Sequence, residues 1–288
     1  MGAASTIGPI IPPSIPFVVY GGIAGVSVGR LFLGGVVPGV LMGFFLMGAV
    51  YLVAKRRAYR AEGWTSLSQT LRNIYRAIPV LLFPVIIMGA IFSGAATPTE
   101  AAVVAVVYAV FLSVFFYQEL TIGKLGHLLA TVAVNTARIT FIIASAGLYG
   151  WLLGREGVPD AVTNFFLSIS QKPWVVLLMV NILLLILGCL VDALPILVIM
   201  TPTFMTLITK VGIDPVHFGV VFTLNLMIGL LTPPVGMVLY VMVSLAGVSI
   251  TEFTKECAIF MLALLVVLIL ITYVPSLVTF LPKLIMGQ

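Results

Sequence analysis

The sequence predicts an all-α polytopic membrane protein with an inverted repeat, broken helices and a re-entrant hairpin. Three observations lead there. The chain is 61% hydrophobic and 8% charged over 288 residues, which is membrane rather than soluble composition. A heptad rich in Gly and Pro occurs twice, as Ile7-Gly8-Pro9-Ile10-Ile11-Pro12-Pro13 and Ile228-Gly229-Leu230-Leu231-Thr232-Pro233-Pro234. A single acid, Asp192, lies in the middle of an apolar stretch too short for two crossings.

Each copy of the heptad interrupts a long apolar run. Proline removes backbone donors and frees carbonyls, and irregular backbone at membrane depth survives only inside protein or beside a cavity. Paired breaks of this kind are the sequence mark of a secondary transporter's binding site. The net charge of +5 forms no basic stripe, so nucleic acid is excluded as a partner and the lipid bilayer is the expected surroundings. Cys189 and Cys257 both lie in apolar stretches and suggest no disulfide framework. Met1-Gly-Ala-Ala-Ser-Thr lacks the basic start of a cleavable signal peptide.

The apolar stretches run as a broken span over 3–29 and a continuous one over 31–54. Further spans cover 77–94, 99–117 and 127–153. Lys55, Arg56, Arg57, Arg60, Arg72 and Arg76 crowd the loop between the second and third, which marks it as cytoplasmic. An amphipathic piece, 65–76, belongs to that loop. From Trp174 to Thr209 each side of Asp192 has about 15 residues, or roughly 22 Å of helix against a hydrocarbon core of about 30 Å. A hairpin that enters, turns at Gly188–Pro195 and leaves on the same side fits this length. Parity then sends the second broken span, 215–245, across the membrane opposite to the first. That is an inverted repeat. The last span, 257–282, would leave the C-terminus outside.

The domain reading follows. Residues 1–54 close a first repeat, 55–76 form the basic cytoplasmic loop, and 77–288 hold a second repeat with its hairpin (about 174–209). Only six residues precede the first heptad, so its partner hairpin is expected to be missing and Met1 to fall inside a span of a longer ancestor.

Four motifs carry a family resemblance: Gly-Pro-Ile-Ile-Pro-Pro-Ser at 8–14, Ala-Thr-Pro-Thr-Glu-Ala-Ala at 96–102, Gly-Ile-Asp-Pro-Val-His-Phe-Gly at 212–219 and Thr-Pro-Pro-Val-Gly at 232–236. They resemble the large membrane subunit of the tripartite ATP-independent periplasmic (TRAP) transporters, over about its C-terminal two-thirds. The resemblance implies an elevator-type secondary transporter, multi-pass in a bacterial or archaeal inner membrane. It implies Na⁺-coupled uptake of an organic anion such as a C4-dicarboxylate, a sialic acid or another carboxylate. It also implies a periplasmic substrate-binding protein and a small membrane subunit as partners. No cofactor is expected beyond Na⁺ as coupling ion.

Na⁺ prefers oxygen, and carbonyls of unwound helix with nearby hydroxyls can replace its hydration shell. The candidates in the first break are Ser5, Thr6, Gly8, Pro9, Pro12 and Ser14. Those in the second are Asn225, Gly229, Thr232 and Pro233, joined by Gly188 and Asp192 at the hairpin; Asp192, Gly229 and Thr232 are the proposed Na⁺ ligands. Simple proline kinks are the plainer alternative. Asp192 either coordinates an ion or caps the returning arm, and the two roles are compatible. The half-helices beyond each Pro-Pro pair would turn positive dipole ends toward a carboxylate. Thr97-Pro98-Thr99-Glu100 reads as a capping box, with Thr97, Pro98 and Glu100 structural. Arg138 is expected to snorkel, with a substrate-anion contact as the alternative; His217 is expected at a helix start near the outer face, where loop geometry is its role; His127 carries no signal. The glycines at 21–25 and 34–35 suit close helix approach.

An enzyme is not expected: two histidines give no His-Glu-x-x-His motif, and only one carboxylate lies deep enough for an intramembrane aspartyl protease. A channel would build its filter from oligomeric rings instead of an internal repeat. A truncated scaffold subunit that does not itself transport is the other alternative.

Overall fold

The computed structural model describes residues 1–57 and 66–287, and the side chain of Ile122 is not described. Every described element is helical, and seven helices are long and apolar enough to cross a membrane. This is the all-α polytopic class predicted from composition. Contacts divide the chain into two compact units, Met1–Val53 with Phe141–Gln288, and Ala54–Thr140.

The chain opens with α1 (Gly2–Ser5), the first break, and α2 (Ile15–Ala24). Ser14 caps α2 by accepting the Phe17 N–H at 3.3 Å, and Gly25 closes it at φ 66°, a left-handed turn natural to glycine. Then α3 (Val28–Arg56) begins after Ser27, which accepts the Arg30 N–H at 3.4 Å. It ends in Lys55 and Arg56, at the negative end of its dipole.

Next comes α4 (Leu67–Phe92), which absorbs the amphipathic piece expected at 65–76 into one continuous helix. Arg60 and Thr65 lie outside the described residues. Further on, α5 (Pro98–Phe111) continues into a π-helical turn at Leu112–Phe116. It starts with a reciprocal capping box: Thr97 Oγ1 accepts the Glu100 N–H, and Glu100 Oε2 accepts the Thr97 N–H at 2.7 Å. Thr97→Ala removes one half of that box. A loss of about 1 kcal/mol is expected, read as a lower melting temperature of the solubilised protein.

The long α6 (Ile122–Arg155) leads to α7 (Val158–Ile169), a short amphipathic helix that the apolar spans do not announce. Its Asp160 lies 4.0 Å from Lys210. Two helices of 18 residues follow, α8 (Pro173–Leu190) and α9 (Ala193–Lys210). At about 27 Å each, they are longer than the sequence reading allowed. Their turn is only Val191–Asp192, tighter than the expected Gly188–Pro195, because Gly188 stays helical and Pro195 sits in the first turn of α9, where proline is tolerated.

The second broken span is α10 (Pro215–Gly229), a break, and α11 (Met237–Ala246). The span expected at 257–282 is two helices, α12 (Ile250–Tyr273) and α13 (Ser276–Met286). Pro275 has no N–H and keeps Val274 out of the helical region, at φ −121° and ψ 78°, which ends α12. Ser249 accepts the Glu252 N–H at 3.2 Å and starts α12 seven residues before the expected point.

The two broken spans match beyond the heptad. Both α2 and α11 have 10 residues and end on a glycine with φ 66° and ψ 28°. Behind that match is a second repeat in the sequence, Ala24-Gly25-Val26-Ser27 and Ala246-Gly247-Val248-Ser249. In each copy the glycine turns the chain and the serine caps the following helix. Both heptads also hold a cis Pro-Pro bond, at 12–13 and 233–234.

At the centre of the larger unit lies α10, with every residue from Val216 to Gly229 buried. It packs against α2, α8, α9, α12 and α13. Within a bilayer such a helix is held by close packing and interhelical hydrogen bonds, since lipid is as apolar as leucine. Phe204, Phe218 and Phe222 interlock here, and Tyr20 meets Phe222 edge-on. The Tyr20 hydroxyl donates to the Pro215 carbonyl at 2.8 Å, tying α2 to the start of α10. His217 is buried, not a loop residue. One of its ring nitrogens, Nε2, lies 2.7 Å from the Ile271 carbonyl oxygen and joins α10 to α12.

Candidate functional site

The two breaks are held in place by glycine. At the first, Gly35 of α3 lies directly against the Ile10 carbonyl and the Phe17 ring, and Gly39 lies against Ile11. A side chain at Gly35 would run into backbone and one at Gly39 would have to displace the Ile11 side chain, so the Gly35-x-x-x-Gly39 face of α3 is the seat of the first break. At the second, Gly229 meets Gly188 of α8 backbone to backbone. A Cβ on Gly229 would fall 2.6 Å from the Gly188 carbonyl carbon. The Val235 N–H donates to the Cys189 carbonyl at 3.0 Å, so the break also bonds to the hairpin near its turn. The second break and α11 meet α1 at Gly2, whose missing Cβ would lie 3.4 Å from Leu231 and 3.1 Å from Met242.

Around this frame the oxygens are arranged as follows. Ser5 donates to the Gly2 carbonyl and Thr6 to the Ala3 carbonyl, each at 2.7 Å. Thr232 donates to the Ile228 carbonyl at 2.9 Å. A hydroxyl that donates its proton in this way keeps its lone pairs free for a cation. Among the described residues no backbone N–H is donated to the carbonyls of Gly8, Pro12, Thr232 or Pro233. The Pro9 carbonyl is taken by the Ser14 hydroxyl. Asp192 caps α9, with Oδ1 accepting the Ala193 N–H at 2.8 Å, and is partly exposed at the hairpin turn.

Asn225 lies one turn before the second break, on the fully buried α10. Its amide nitrogen donates to the Asn181 carbonyl at 3.0 Å and to Asn181 Oδ1 at 2.8 Å. Two acceptors on one side fix the orientation of the amide. Asn181 in turn donates to Thr272 Oγ1 at 3.0 Å, and Thr272 to the Leu268 carbonyl at 2.7 Å. The chain of donors therefore runs outward from Asn225 and leaves its Oδ1 buried with no hydrogen-bond partner. A buried acceptor without a donor calls for an explanation, such as an ion or a water.

The start of α11 differs from expectation. Leu230 folds back so that its carbonyl accepts the Val238 and Leu239 N–H groups at 3.1 and 3.3 Å. Those donors of α11 are thus engaged and are not presented to a ligand carboxylate. Arg138 and His127 sit exposed on α6. The roles of Cys189, Val235, Asn181 and Thr272 were not read from sequence. For the Gly188–Gly229 contact a signal existed: lone glycines inside apolar stretches mark close backbone approach.

Residues 1–277 match the family described as tripartite ATP-independent periplasmic transporter, DctM component. A sialic acid TRAP transporter large permease of Vibrio cholerae is 40% identical over 99% of this chain and 67% of its own. A C4-dicarboxylate TRAP transporter large permease of Pseudomonas aeruginosa is 39% identical over 97% of this chain and 66% of its own. An isethionate TRAP transporter permease of Oleidesulfovibrio alaskensis is 38% identical over 97% of this chain and 44% of its own. The chain thus spans about two thirds of the first two relatives. The family is a transporter component and not an enzyme family. With its four motifs in order, its paired breaks and a family match along nearly all its length, this multi-pass membrane chain belongs to the DctM component family of the tripartite ATP-independent periplasmic transporters.

Proposed function

We propose that the chain works as a large TRAP membrane subunit that couples the Na⁺ gradient to uptake of an organic anion. The observation that carries this reading is the joint between hairpin and second break. Gly188 packs on Gly229, the Val235 N–H bonds to Cys189, and next to that joint lie unbonded carbonyls at Thr232 and Pro233. A hairpin fastened to a carbonyl-rich break is a unit that can move while carrying an ion, which suits an elevator. The free Oδ1 of Asn225 adds a buried oxygen one turn away. Carbonyl, hydroxyl and amide oxygens together suit a hard monovalent cation. Asp192 and Thr232 are the favoured Na⁺ ligands, joined by the Gly229 carbonyl, which accepts the Thr232 N–H at 2.9 Å and has its second lone pair to offer. Ser5, Thr6, Gly8, Pro12 and Ser14 supply the oxygens of the first break.

The relatives' names give sialic acid, C4-dicarboxylate and isethionate, all anions. One charge moving down 100 mV releases about 2.3 kcal/mol, so two or more Na⁺ per monoanion, or three or more per dicarboxylate dianion, would let the membrane potential drive accumulation. The proposed partners are a small membrane subunit and a periplasmic binding protein, in a bacterial or archaeal inner membrane. The test is uptake into proteoliposomes holding the chain and those two partners, with labelled sialic acid, succinate and isethionate. Saturable accumulation under an inward Na⁺ gradient, and none under an equal K⁺ gradient, is expected. No Na⁺-dependent uptake of any of the three would overturn the transport reading in favour of a scaffold.

A further inference from the structure

At the end of α3 opposite its Lys55-Arg56 terminus lies a polar cavity of about 250 Å³, lined by Arg30, Asp214, Val216, Thr279, Pro282, Lys283 and Gly287. Arg30 and Lys55 are 25 positions apart on one helix, or about 38 Å, a full bilayer crossing. The cluster at 55–57 marks its own side as cytoplasmic by the positive-inside rule, so Arg30 and Lys283 are cations on the outer side, where that rule does not call for them. Their common cavity also holds one carboxylate, Asp214. Its Oδ1 accepts the Val216 and His217 N–H groups at 2.7 and 3.0 Å.

The helix forming one wall has three faces. On α13, Val278 and Pro282 are buried, Thr279 and Lys283 line the cavity one turn apart, and Phe280 and Leu284 are 59% and 67% exposed. With 11 residues, α13 reaches only about 16 Å, too short to span and suited to lying in the interface with its apolar side in the acyl region. The Arg30 guanidinium donates to the Gly287 carbonyl at 3.3 Å, which holds the end of α13 against α3 and one wall of the cavity in place.

We propose that this cavity binds the headgroup of a phosphoethanolamine lipid from the outer leaflet. The phosphate sits between Arg30 and Lys283, the primary ammonium meets Asp214, and the acyl chains run over Phe280 and Leu284. Two cations and one carboxylate complement a phosphate joined to an ammonium. A purely anionic headgroup would leave Asp214 opposed to it, and a choline headgroup cannot donate a hydrogen bond to Asp214. The exposed apolar face beside the polar cavity favours lipid over a soluble protein partner.

The full chain, delipidated in detergent, is titrated with phosphatidylethanolamine, phosphatidylglycerol, phosphatidylcholine and inorganic phosphate, and bound lipid is counted by native mass spectrometry. Phosphatidylethanolamine is expected to bind tightest. Arg30→Gln and Lys283→Gln should each weaken it about fivefold, the size of one cation near a lipid surface. Asp214→Asn keeps an oxygen to cap α10, so the fold is retained, and the preference should move toward phosphatidylglycerol. That change of preference is a readout that misfolding would not produce. Equal retention of all three lipids, or lipid binding indifferent to the three variants, overturns the proposal. So does inorganic phosphate competing as well as the lipid, or charge variants that weaken only association with a periplasmic protein.

Discussion

Gly229→Ala is expected to break the joint between the hairpin and the second break. The added methyl would sit 2.6 Å from the Gly188 carbonyl carbon and 2.7 Å from its Cα. Both are backbone atoms, so no side chain can rotate aside and the two helices must part. Overpacking of this kind costs about 1–3 kcal/mol, and a contact with rigid backbone belongs at the upper end. The same displacement carries the Val235–Cys189 hydrogen bond and the Thr232 carbonyl with it. Displacement of the Thr232 carbonyl that weakens ion binding by about 1.4 kcal/mol is a factor of ten in affinity, so the Na⁺ concentration for half-maximal uptake should rise by about tenfold. The solubilised protein should also melt at a lower temperature. Gly43→Ala supplies the comparison, because a Cβ there meets nothing within 4 Å. In the middle of α3 it should leave uptake unchanged and raise helix stability by about 0.5–1 kcal/mol. Equal behaviour of the two variants would show that the joint is not under steric control.

Gly35→Ala is the corresponding expectation for the first break. Its Cβ would run into the Ile10 carbonyl oxygen and the edge of the Phe17 ring, itself fully buried. Ile10 lies inside the heptad and Phe17 in the first turns of α2, so the methyl would push the break off α3 and tilt the half-helix that follows it. A penalty of about 1–3 kcal/mol and a severe loss of uptake are expected together. Loss of uptake with normal stability would locate the effect in the break itself. Loss of both would identify Gly35 chiefly as a packing position.

Much of this arrangement was legible in the sequence because proline and glycine act locally. The adjacent pairs Pro12-Pro13 and Pro233-Pro234 stop their helices, so the breaks could be placed at once, whereas single prolines such as Pro38, Pro84 and Pro202 lie inside helices. The Thr97–Glu100 box is equally local, a spacing of three residues that closes on itself. Composition alone was enough for the membrane class. The features that escaped depend on neighbours far along the chain. The helix start at His217 was legible, and its burial was not, because nothing near it shows that the Ile271 carbonyl lies 2.7 Å away. The orientation of Asn225 was hidden as well, because its amide nitrogen is clamped to Asn181, 44 positions earlier, which leaves only its Oδ1 free. The short α7 escaped because a 12-residue amphipathic helix falls below the length of a span. The break at Pro275 is a different case. Its proline was visible, and the run of apolar residues through 257–282 concealed its consequence. The Ala-Gly-Val-Ser repeat was visible too, and with the heptad it extends the internal duplication into the caps of α3 and α12.

In the proposed mechanism, oxygens at the hairpin turn and the second break serve the coupling ion. The most direct test measures Na⁺ activation of anion uptake in proteoliposomes for the unaltered chain, Asp192→Ala and Thr232→Ala, each with its partner subunits. Asp192 carries the charge and Thr232 the hydroxyl beside the unbonded carbonyls. Loss of a charged oxygen ligand is worth about 1.5–3 kcal/mol, so the Na⁺ concentration for half-maximal uptake should rise about tenfold or more in Asp192→Ala. A weaker shift in the same direction is expected for Thr232→Ala. Unchanged Na⁺ dependence in both variants would contradict the account and return the breaks to the status of proline kinks in a structural bundle.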